Sequence, residues 1–219
     1  MLFRSVTEWT RVSVPYTADA TGFSRLLVRP NVSGVTFHVW GAQVEEGSYP
    51  SSYIPTAGAQ VTRAADSCVR VLGDEFNKDA FTLFVEFEES GPFDEEVSYA
   101  ALSQDQVIGT KGFFAIQRRN NYNSLGVRLN DGNFTTIDTP ASVGLKKAAA
   151  SCRNGEVTFC INGVVIGSLS NVKTNDITLL FLGKYDNTNP TSGLILNKDA
   201  RLYPTALSDA ELITLTGGT

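Results

Sequence analysis

The sequence contains few of the side chains that bind metals or carry out acid–base catalysis. Its 219 residues include one histidine, one methionine and three cysteines, and 19% of them are charged. The cysteines are Cys68, Cys152 and Cys160, at spacings that match no pattern of metal ligands. Zinc sites are therefore excluded, and we expect the cysteines to be reduced and packed as small hydrophobic side chains.

Signals for nucleic-acid binding, membrane insertion and export are missing as well. No basic cluster stands out, and the net charge of -5 argues against binding to nucleic-acid phosphates. No apolar run approaches the roughly 18–20 residues of a membrane span. Residues 1–11 contain no apolar stretch long enough for a signal peptide, so we expect synthesis in the cytoplasm without export.

The residues that are present have the pattern of an all-β protein. Runs rich in Val, Ile, Thr and Phe are separated at short intervals by Gly, Asn and Asp. Residues 81–88 alternate in polarity, which predicts a strand with one core face. That face contains Phe81, Leu83, Val85 and Phe87, and the other contains Thr82, Phe84, Glu86 and Glu88.

Two Asn-Gly pairs predict a three-stranded meander. Asn154-Gly155 and Asn162-Gly163 lie between apolar runs, where Asn-Gly favours two-residue type I′ hairpins. The first turn would place Cys152 and Cys160 on opposite faces, so a disulfide between them would need another register. The predicted core face of this hairpin contains Ala148, Ala150, Cys152, Val157, Phe159 and Ile161.

One short helix is predicted near the end of the sequence. Ser208 is placed to cap its N-terminus, and Glu211 three residues later completes a capping box. Leu207 and Leu212 occupy the positions of a hydrophobic staple, and Gly217 ends the helix.

The first 45 residues predict about four strands. In the last of them, Val35, Phe37 and Val39 share the predicted core face. The opposite face contains Thr36, His38 and Trp40.

Residues 47–60 predict a shaped connector. Pro50 and Pro55 interrupt strand pairing because proline has no backbone N–H to donate. Tyr53 and Ile54 are large apolar groups that a flexible linker would not need. We therefore expect this segment to pack onto its neighbours.

Residues 60–219 resemble the concanavalin A-like or laminin-G-like jelly roll. The resemblance is carried by VTFCINGVVIGS from residue 157, LLFLG from residue 179, and ARLYPTALSDAELITLT from residue 200. It implies an all-β fold, an antiparallel β-sandwich that finishes with a strand and a short helix.

The N-terminal part resembles a segment that recurs in tail, fibre and other virion proteins of bacteriophages. The residues concerned are WTRVSVPYTADATGFSRLLVRP from residue 9 and VWGAQVEEGSYPSSYIPTAGAQVTRAAD from residue 39. There the segment is similar to the exit from a carbohydrate-binding-type jelly roll. The resemblance implies a virion location and three parts, a partial jelly-roll segment at 1–46, a connector at 47–60 and a sandwich at 61–219.

This partial N-terminal segment also implies an oligomer. A complete jelly roll needs about eight strands, and only about four precede residue 46. Because open sheet edges are normally covered, we expect a homo-oligomer. The resemblance to phage fibres favours a trimer that contacts other virion proteins.

Catalytic and metal sites have weak support in the sequence. Glu86 and Glu88 share a strand face, as a glycosidase pair would need, but the glucanase pattern E-x-D-x-x-E is absent, and a solvated face is expected. A Ser-His-Asp site would depend on His38, which has no nucleophile motif nearby. Laminin-G-like domains often hold calcium, for which Asp131 and Asp186 are weak candidates; turn chemistry also explains both.

Two predicted loops have the composition of a sugar site. Aromatic rings stack on the apolar C–H faces of sugars, and amide or carboxylate groups bind the hydroxyls. The alternative is that these loops are ordinary polar turns. His38 and Trp40 form a second candidate platform, with burial of Trp40 in an interface as its alternative. The candidate loop residues are Arg119, Asn121, Tyr122, Asn123, Tyr185, Asp186, Asn187 and Asn189.

Together these features predict a non-catalytic bacteriophage virion protein that oligomerises and binds bacterial surface polysaccharide. One alternative is a purely structural role, as a capsid decoration or fibre spacer without a ligand. The other alternative is a glycan-degrading enzyme.

Light scattering on the purified chain tests the predicted assembly. The expected result is a multiple of the 23.7 kDa chain mass, with three copies favoured. A stable species at the mass of one chain would contradict completion of the N-terminal sheet by neighbouring copies.

Overall fold

A computed structural model provides the architecture. The residues that it describes are 2–4, 9–17, 27–29, 33–45, 50–62, 68–89, 97–104, 113–119, 124–130, 134–174, 177–183 and 196–217. The chain divides into two compact units, Met1–Ala64 and Ala65–Thr219. No helix among the described residues is long and apolar enough to cross a bilayer.

The N-terminal unit contains a small antiparallel sheet. Its strands are β1 (Leu2–Arg4), β2 (Trp9–Arg11) and β3 (His38–Trp40), in the order β2-β1-β3. Every residue of β2 and β3 is exposed. Three strands of three residues each are too small a sheet to bury a face by themselves.

The prediction that Val35, Phe37 and Val39 form a core face is therefore wrong in part. Val35 is 54% exposed and Val39 is 41% exposed, whereas Phe37 is half-buried. The alternation of apolar residues in this segment is real, but the unit has no second layer among its described residues against which that face packs.

The C-terminal unit consists of two antiparallel sheets. One has five strands in the order β12-β11-β10-β5-β14, and the other has six in the order β4-β13-β6-β7-β8-β9. The strands are β4 (Cys68–Val71), β5 (Ala80–Glu89), β6 (Val97–Ser103), β7 (Phe113–Arg119), β8 (Ser124–Asn130), β9 (Phe134–Pro140), β10 (Gly144–Arg153), β11 (Glu156–Ile161), β12 (Val164–Leu169), β13 (Leu179–Leu182) and β14 (Leu196–Tyr203). The predicted all-β sandwich with a C-terminal helix is confirmed.

The core lies between these two sheets. Alternate residues of β5 point into it, as the polarity pattern predicts. The face predicted for the hairpin of β10 and β11 lies in the same core. The largest side chains of this core that are nearly inaccessible to solvent are Phe81, Phe87, Tyr99, Phe114 and Phe159.

Both Asn-Gly turns form as predicted. Asn154 and Gly155 have positive φ angles of 48° and 81°, as a type I′ turn requires. The register pairs Ala149 with Cys160 and Cys152 with Val157, so the prediction of two cysteines on opposite faces is confirmed.

The predicted packing of Cys68 is wrong. Cys152 and Cys160 are buried, but Cys68 is exposed at the start of β4. Strand β4 is an edge strand of the six-stranded sheet, and all four of its residues are exposed. An edge position leaves a side chain with fewer neighbours than a central strand does.

Helix α1 (Asp209–Gly217) covers the outer face of the five-stranded sheet. Leu212 packs there against Phe84, Ala149 and Cys160. The predicted capping box is confirmed, because the Ser208 N–H and hydroxyl both donate to Glu211 Oε2, each over 2.7 Å.

Two buried hydroxyls hold the chain that leads into this helix. Thr82 Oγ1 donates to Thr205 O over 2.9 Å and accepts from Leu207 N over 3.0 Å. Ser151 Oγ donates to Leu207 O over 2.9 Å. Since Thr82 and Ser151 are opposite each other on β5 and β10, the helix is anchored to the two central strands.

Ser208→Ala is expected to lower the free energy of unfolding by about 1 kcal/mol, because it removes the hydroxyl that accepts from the Glu211 N–H over 3.5 Å and donates to the Glu211 carboxylate. Urea denaturation measures the change. Thr214→Ala is the matched control, since the Thr214 hydroxyl donates to Ala210 O within the helix and its loss is expected to cost little. Equal effects of the two substitutions would contradict the capping role.

Candidate functional site

The outer face of the six-stranded sheet carries a polar row across four strands. The register places Ser98 opposite Gln117, Gln117 opposite Gly126, and Gly126 opposite Asp138. Their neighbours in sequence, such as Ile116 and Ile137, point into the core. Because side chains alternate along a strand, the polar row faces away from the core.

Gln117 is the central side chain of this row. It is completely buried, and within the described part of the chain neither Oε1 nor Nε2 has a hydrogen-bond partner. The buried hydroxyl of Ser98 likewise has no hydrogen-bond partner among the described residues. An unpaired buried donor or acceptor costs about 1–3 kcal/mol, so these groups favour a partner that supplies hydrogen bonds.

An ion pair lies at the accessible end of the row. Arg119 Nη1 is 3.0 Å from Asp138 Oδ2 and 3.4 Å from Thr136 Oγ1. The side chains of Arg119 and Asp138 are 18% and 26% exposed. The pair therefore presents both donors and acceptors at the edge of the buried region.

Gly126 lies between Gln117 and Asp138 in the row, at a point where strand β9 approaches its Cα closely. A Cβ at this position would lie 2.0 Å from the carbonyl oxygen of Ile137 and 2.5 Å from Asp138 Oδ1. Any side chain here would therefore displace the Asp138 carboxylate or the backbone of β9. Glycine at this position therefore lets β9 and the Asp138 carboxylate lie directly against β8.

Apolar side chains continue this face next to the polar row. Ala101, Ala115, Phe113 and Phe181 form a separate buried cluster there. The guanidinium carbon of Arg128 lies 5.9 Å from the centre of the Phe113 ring. The face therefore combines apolar surface with hydrogen-bonding groups, which is the usual composition of a small-ligand site.

A second polar cluster lies inside the sandwich. The Tyr99 hydroxyl donates to Glu89 Oε1, and Arg118 Nη1 lies 3.8 Å from the same oxygen. Burial raises the pKa of the Glu89 carboxyl, and the charges of Arg118 and Lys146 offset that rise only in part. The ring of Tyr99 is stacked on Phe87 with centroids 3.7 Å apart.

Of the predicted sugar-site residues, Arg119 lies in the described part of the chain. It belongs to the last position of β7 and pairs with Asp138. The strands that flank the two predicted loops, β7 and β13, end at the same end of the sheet, since both are antiparallel to β6. The other predicted residues lie outside the described residues: Asn121, Tyr122, Asn123, Tyr185, Asp186, Asn187 and Asn189.

The calcium candidates Asp131 and Asp186 also lie outside the described residues. Among the residues that are described, no group of three or more His, Cys, Asp or Glu side chains could hold a metal ion.

Glu86 and Glu88 share the outer face of the five-stranded sheet. Glu88 Oε2 lies 3.1 Å from Lys198 Nζ, and both side chains are about half exposed. Glu86 is partly exposed and lies opposite Lys147 in the register. The arrangement is a charged, solvated face of the sheet, as the sequence predicted.

Sequence reasoning missed Gln117 and Asp138. Both are isolated polar residues within strand-like runs, and nothing nearby in the sequence distinguishes them. The available signal is Gly126, an interior strand glycine, because such a residue often marks a close approach to the backbone.

No protein-family model matches the sequence, and no curated protein shows significant sequence similarity to it. Solved structures share its fold. A leech intramolecular trans-sialidase aligns with 72% of this chain, at 21% identity and a TM-score of 0.54. The CBM40 module of an IT-sialidase from Ruminococcus gnavus aligns with 64%, at 20% identity and a TM-score of 0.52. Domain 4 of AbnA, a GH43 extracellular arabinanase from Geobacillus stearothermophilus, aligns with 63%, at 18% identity and a TM-score of 0.52.

The alignments cover different fractions of these proteins. The alignment spans 27% of the leech enzyme, 84% of the Ruminococcus module and 66% of the Geobacillus domain. This chain therefore spans about a quarter of the leech enzyme and most of an isolated carbohydrate-binding module. At these identities the likeness is one of fold.

Glu89→Gln is expected to change how stability depends on pH. Since the folded chain raises the pKa of Glu89, its contribution to stability is full below the usual glutamate pKa of about 4.3 and is lost as pH rises through the raised value. The Tm of the natural chain relative to Glu89→Gln should therefore fall as pH rises.

Thermal unfolding at a series of pH values measures this difference. Glu88→Gln, on the neighbouring exposed position of β5, is the control for the substitution itself. A difference between the natural chain and Glu89→Gln that stays constant with pH would contradict the assignment.

Proposed function

We propose that this protein is a non-catalytic glycan-binding protein whose sandwich binds sugar at the polar row of the six-stranded sheet. The observation that carries the proposal is the buried amide of Gln117, in the same polar row as the Arg119–Asp138 pair. An amide offers two donors and one acceptor, which suits the hydroxyls of a sugar.

The geometry of the row supports a neutral hydroxyl ligand at its accessible end. Arg119 and Asp138 neutralise each other at 3.0 Å, so together they donate to one hydroxyl and accept from another. Arg119 lies two residues from Gln117 on the same face of β7, so a sugar that binds the pair lies next to Gln117.

The structures with this fold support a sugar ligand. The Ruminococcus module was solved bound to α2,3- and α2,6-sialyllactose, and the Geobacillus domain in complex with arabinotriose. A non-catalytic role is supported by the pairing of Glu88 with Lys198 on a solvated face, which differs from two carboxylates converging on a substrate.

The location of this activity in a bacteriophage virion rests on the sequence of residues 9–30 and 39–66. We propose that the protein is part of a tail fibre, tail tip or capsid appendage, and that it binds polysaccharide of the bacterial surface. Among the described residues, β2 and β3 are the two edge strands of the small sheet, and edge strands of this kind support assembly into a homotrimer or onto other virion proteins. The same observation favours a second candidate, a purely structural spacer without a ligand.

Asp138→Asn tests the sugar site. The substitution removes the charge that orients Arg119, and we expect at least about a tenfold loss of affinity for the bound sugar, equal to about 1.4 kcal/mol. Binding is measured on an array of bacterial surface polysaccharides together with α2,3-sialyllactose and arabinotriose. Glycans that bind are then titrated calorimetrically.

The matched control is Glu75→Gln. Glu75 Oε1 forms an ion pair with Arg70 over 2.7 Å, and both side chains are well exposed. Exposed pairs contribute only about 0–1 kcal/mol to stability, so Glu75→Gln should stay folded, and thermal unfolding checks that Asp138→Asn does the same. Equal affinities for the two variants would place the sugar elsewhere, and an array on which nothing binds would favour the structural spacer.

A further inference from the structure

Two aromatic rings are exposed together on the N-terminal unit. The ring centroids of Trp40 and Tyr53 are 4.8 Å apart, with the planes tilted by 47°. Trp40 is 54% exposed and Tyr53 is 41% exposed. Trp9 and Tyr16 of the same unit are also exposed, at 49% and 70%, so the contact between the two rings, and not their exposure, distinguishes this pair.

Hydrogen bonds fix the segment that carries Tyr53. Gln43 Oε1 accepts from the backbone N–H of Ile54 over 2.9 Å. Glu45 Oε1 accepts from the backbone N–H of Ser51 over 2.6 Å, and Arg11 donates to the carbonyl oxygen of Ser51. The ring pair is therefore held in place by side chains from β2 and from the chain after β3.

Gly41 allows the chain to fold back in this way. Its φ angle is +67°, in the left-handed region that glycine adopts most easily. A Cβ on Gly41 would lie 3.5 Å from Cδ2 of Tyr53. The Trp-Gly pair at 40–41 thus sets one ring next to the other, and Gln43 and Glu45 then fasten the returning segment.

Two polar residues share a face of the small sheet with Trp40. Trp40 and Arg11 both lie opposite Leu2 in the register, so they share one face of the small sheet, about 10 Å apart across two strand spacings. His38 lies two residues before Trp40 on the same face. Trp9 also lies on this face, because it is two residues from Arg11 on the same strand. The face of the sheet that carries Trp40 therefore has two polar side chains and a further aromatic ring.

We propose that the Trp40–Tyr53 pair is a second sugar site, which binds a neutral pyranose through the apolar C–H face of the sugar ring. Its size favours a sugar over a protein partner. A fully buried aromatic side chain contributes about 150–250 Å², so two half-exposed rings offer about 200 Å². A stable protein interface needs about 800 Å² from each partner.

The proposal goes beyond binding at the sandwich, because the rings and their hydrogen-bonded frame belong wholly to Met1–Ala64. Two independent sugar sites in one chain would strengthen binding to a polymeric glycan when both can be occupied at once.

Nuclear magnetic resonance of the two tryptophan indole N–H groups tests the site. The chain contains two tryptophans, so Trp40→Phe assigns both signals. The full chain is titrated with methyl β-glucoside, methyl β-galactoside and arabinotriose. We expect at least one of these sugars to shift the Trp40 signal and not the signal of Trp9, which is 49% exposed and serves as the matched control.

Variants separate this proposal from binding at the sandwich. Tyr53→Ala should weaken the Trp40 response at least about fivefold in affinity, whereas Asp138→Asn should leave it unchanged. If Asp138→Asn alone removes all sugar binding, the Trp40 site is wrong and the sandwich site stands. If Tyr53→Ala removes all binding and Asp138→Asn has no effect, the sandwich site is wrong and the Trp40 site stands.

Two further outcomes would overturn the proposal. One is a Trp40 signal that none of the three sugars shifts. The other is a Trp40 signal that shifts with protein concentration in the absence of sugar, which would make the ring pair a contact between copies of the chain.

Discussion

Ten consecutive residue pairs join β5 to β10 at the centre of the five-stranded sheet, and the C-terminal unit is arranged around this ladder. Because side chains alternate along a strand, one register sets Phe81 in the core and Phe84 beneath α1. A slip by one residue would exchange the two faces and turn Glu86 into the core. The same ladder brings Thr82 and Ser151 together, and their hydroxyls hold the approach to the helix.

Features of the fold that depend on residues close together in the sequence could be predicted from it. The Asn154-Gly155 turn fixes its own register, and the Ser208 cap needs only the residues that follow it. Burial of Val35 and Val39 was wrong because alternation shows which side chains share a face and not whether another layer covers that face. The predicted packing of Cys68 was wrong for a related reason, since a sequence does not show which strand lies at the edge of a sheet.

The candidate site was less predictable than the fold. Gln117, Gly126 and Asp138 become neighbours only through two successive strand pairings, so no window of sequence contains the site. Arg119 was identified from its polar surroundings, but its partner Asp138 was not. Within the described part of the chain, the polar row also departs from the rule that buried polar groups are paired, and exceptions of this kind are expected at functional positions.

The order of the strands has a consequence for how quickly the chain reaches this structure. Strand β5 is completed by β14, and Thr82 bonds to Thr205, a residue 123 positions away. Contacts this distant in sequence require the closure of long loops, and chains dominated by them fold slowly, in about milliseconds to seconds. Until β14 arrives, β5 has one unpaired edge and Phe84 is uncovered. A folding intermediate without β14 would therefore expose an unpaired strand edge beside an uncovered aromatic ring, and such surfaces promote aggregation.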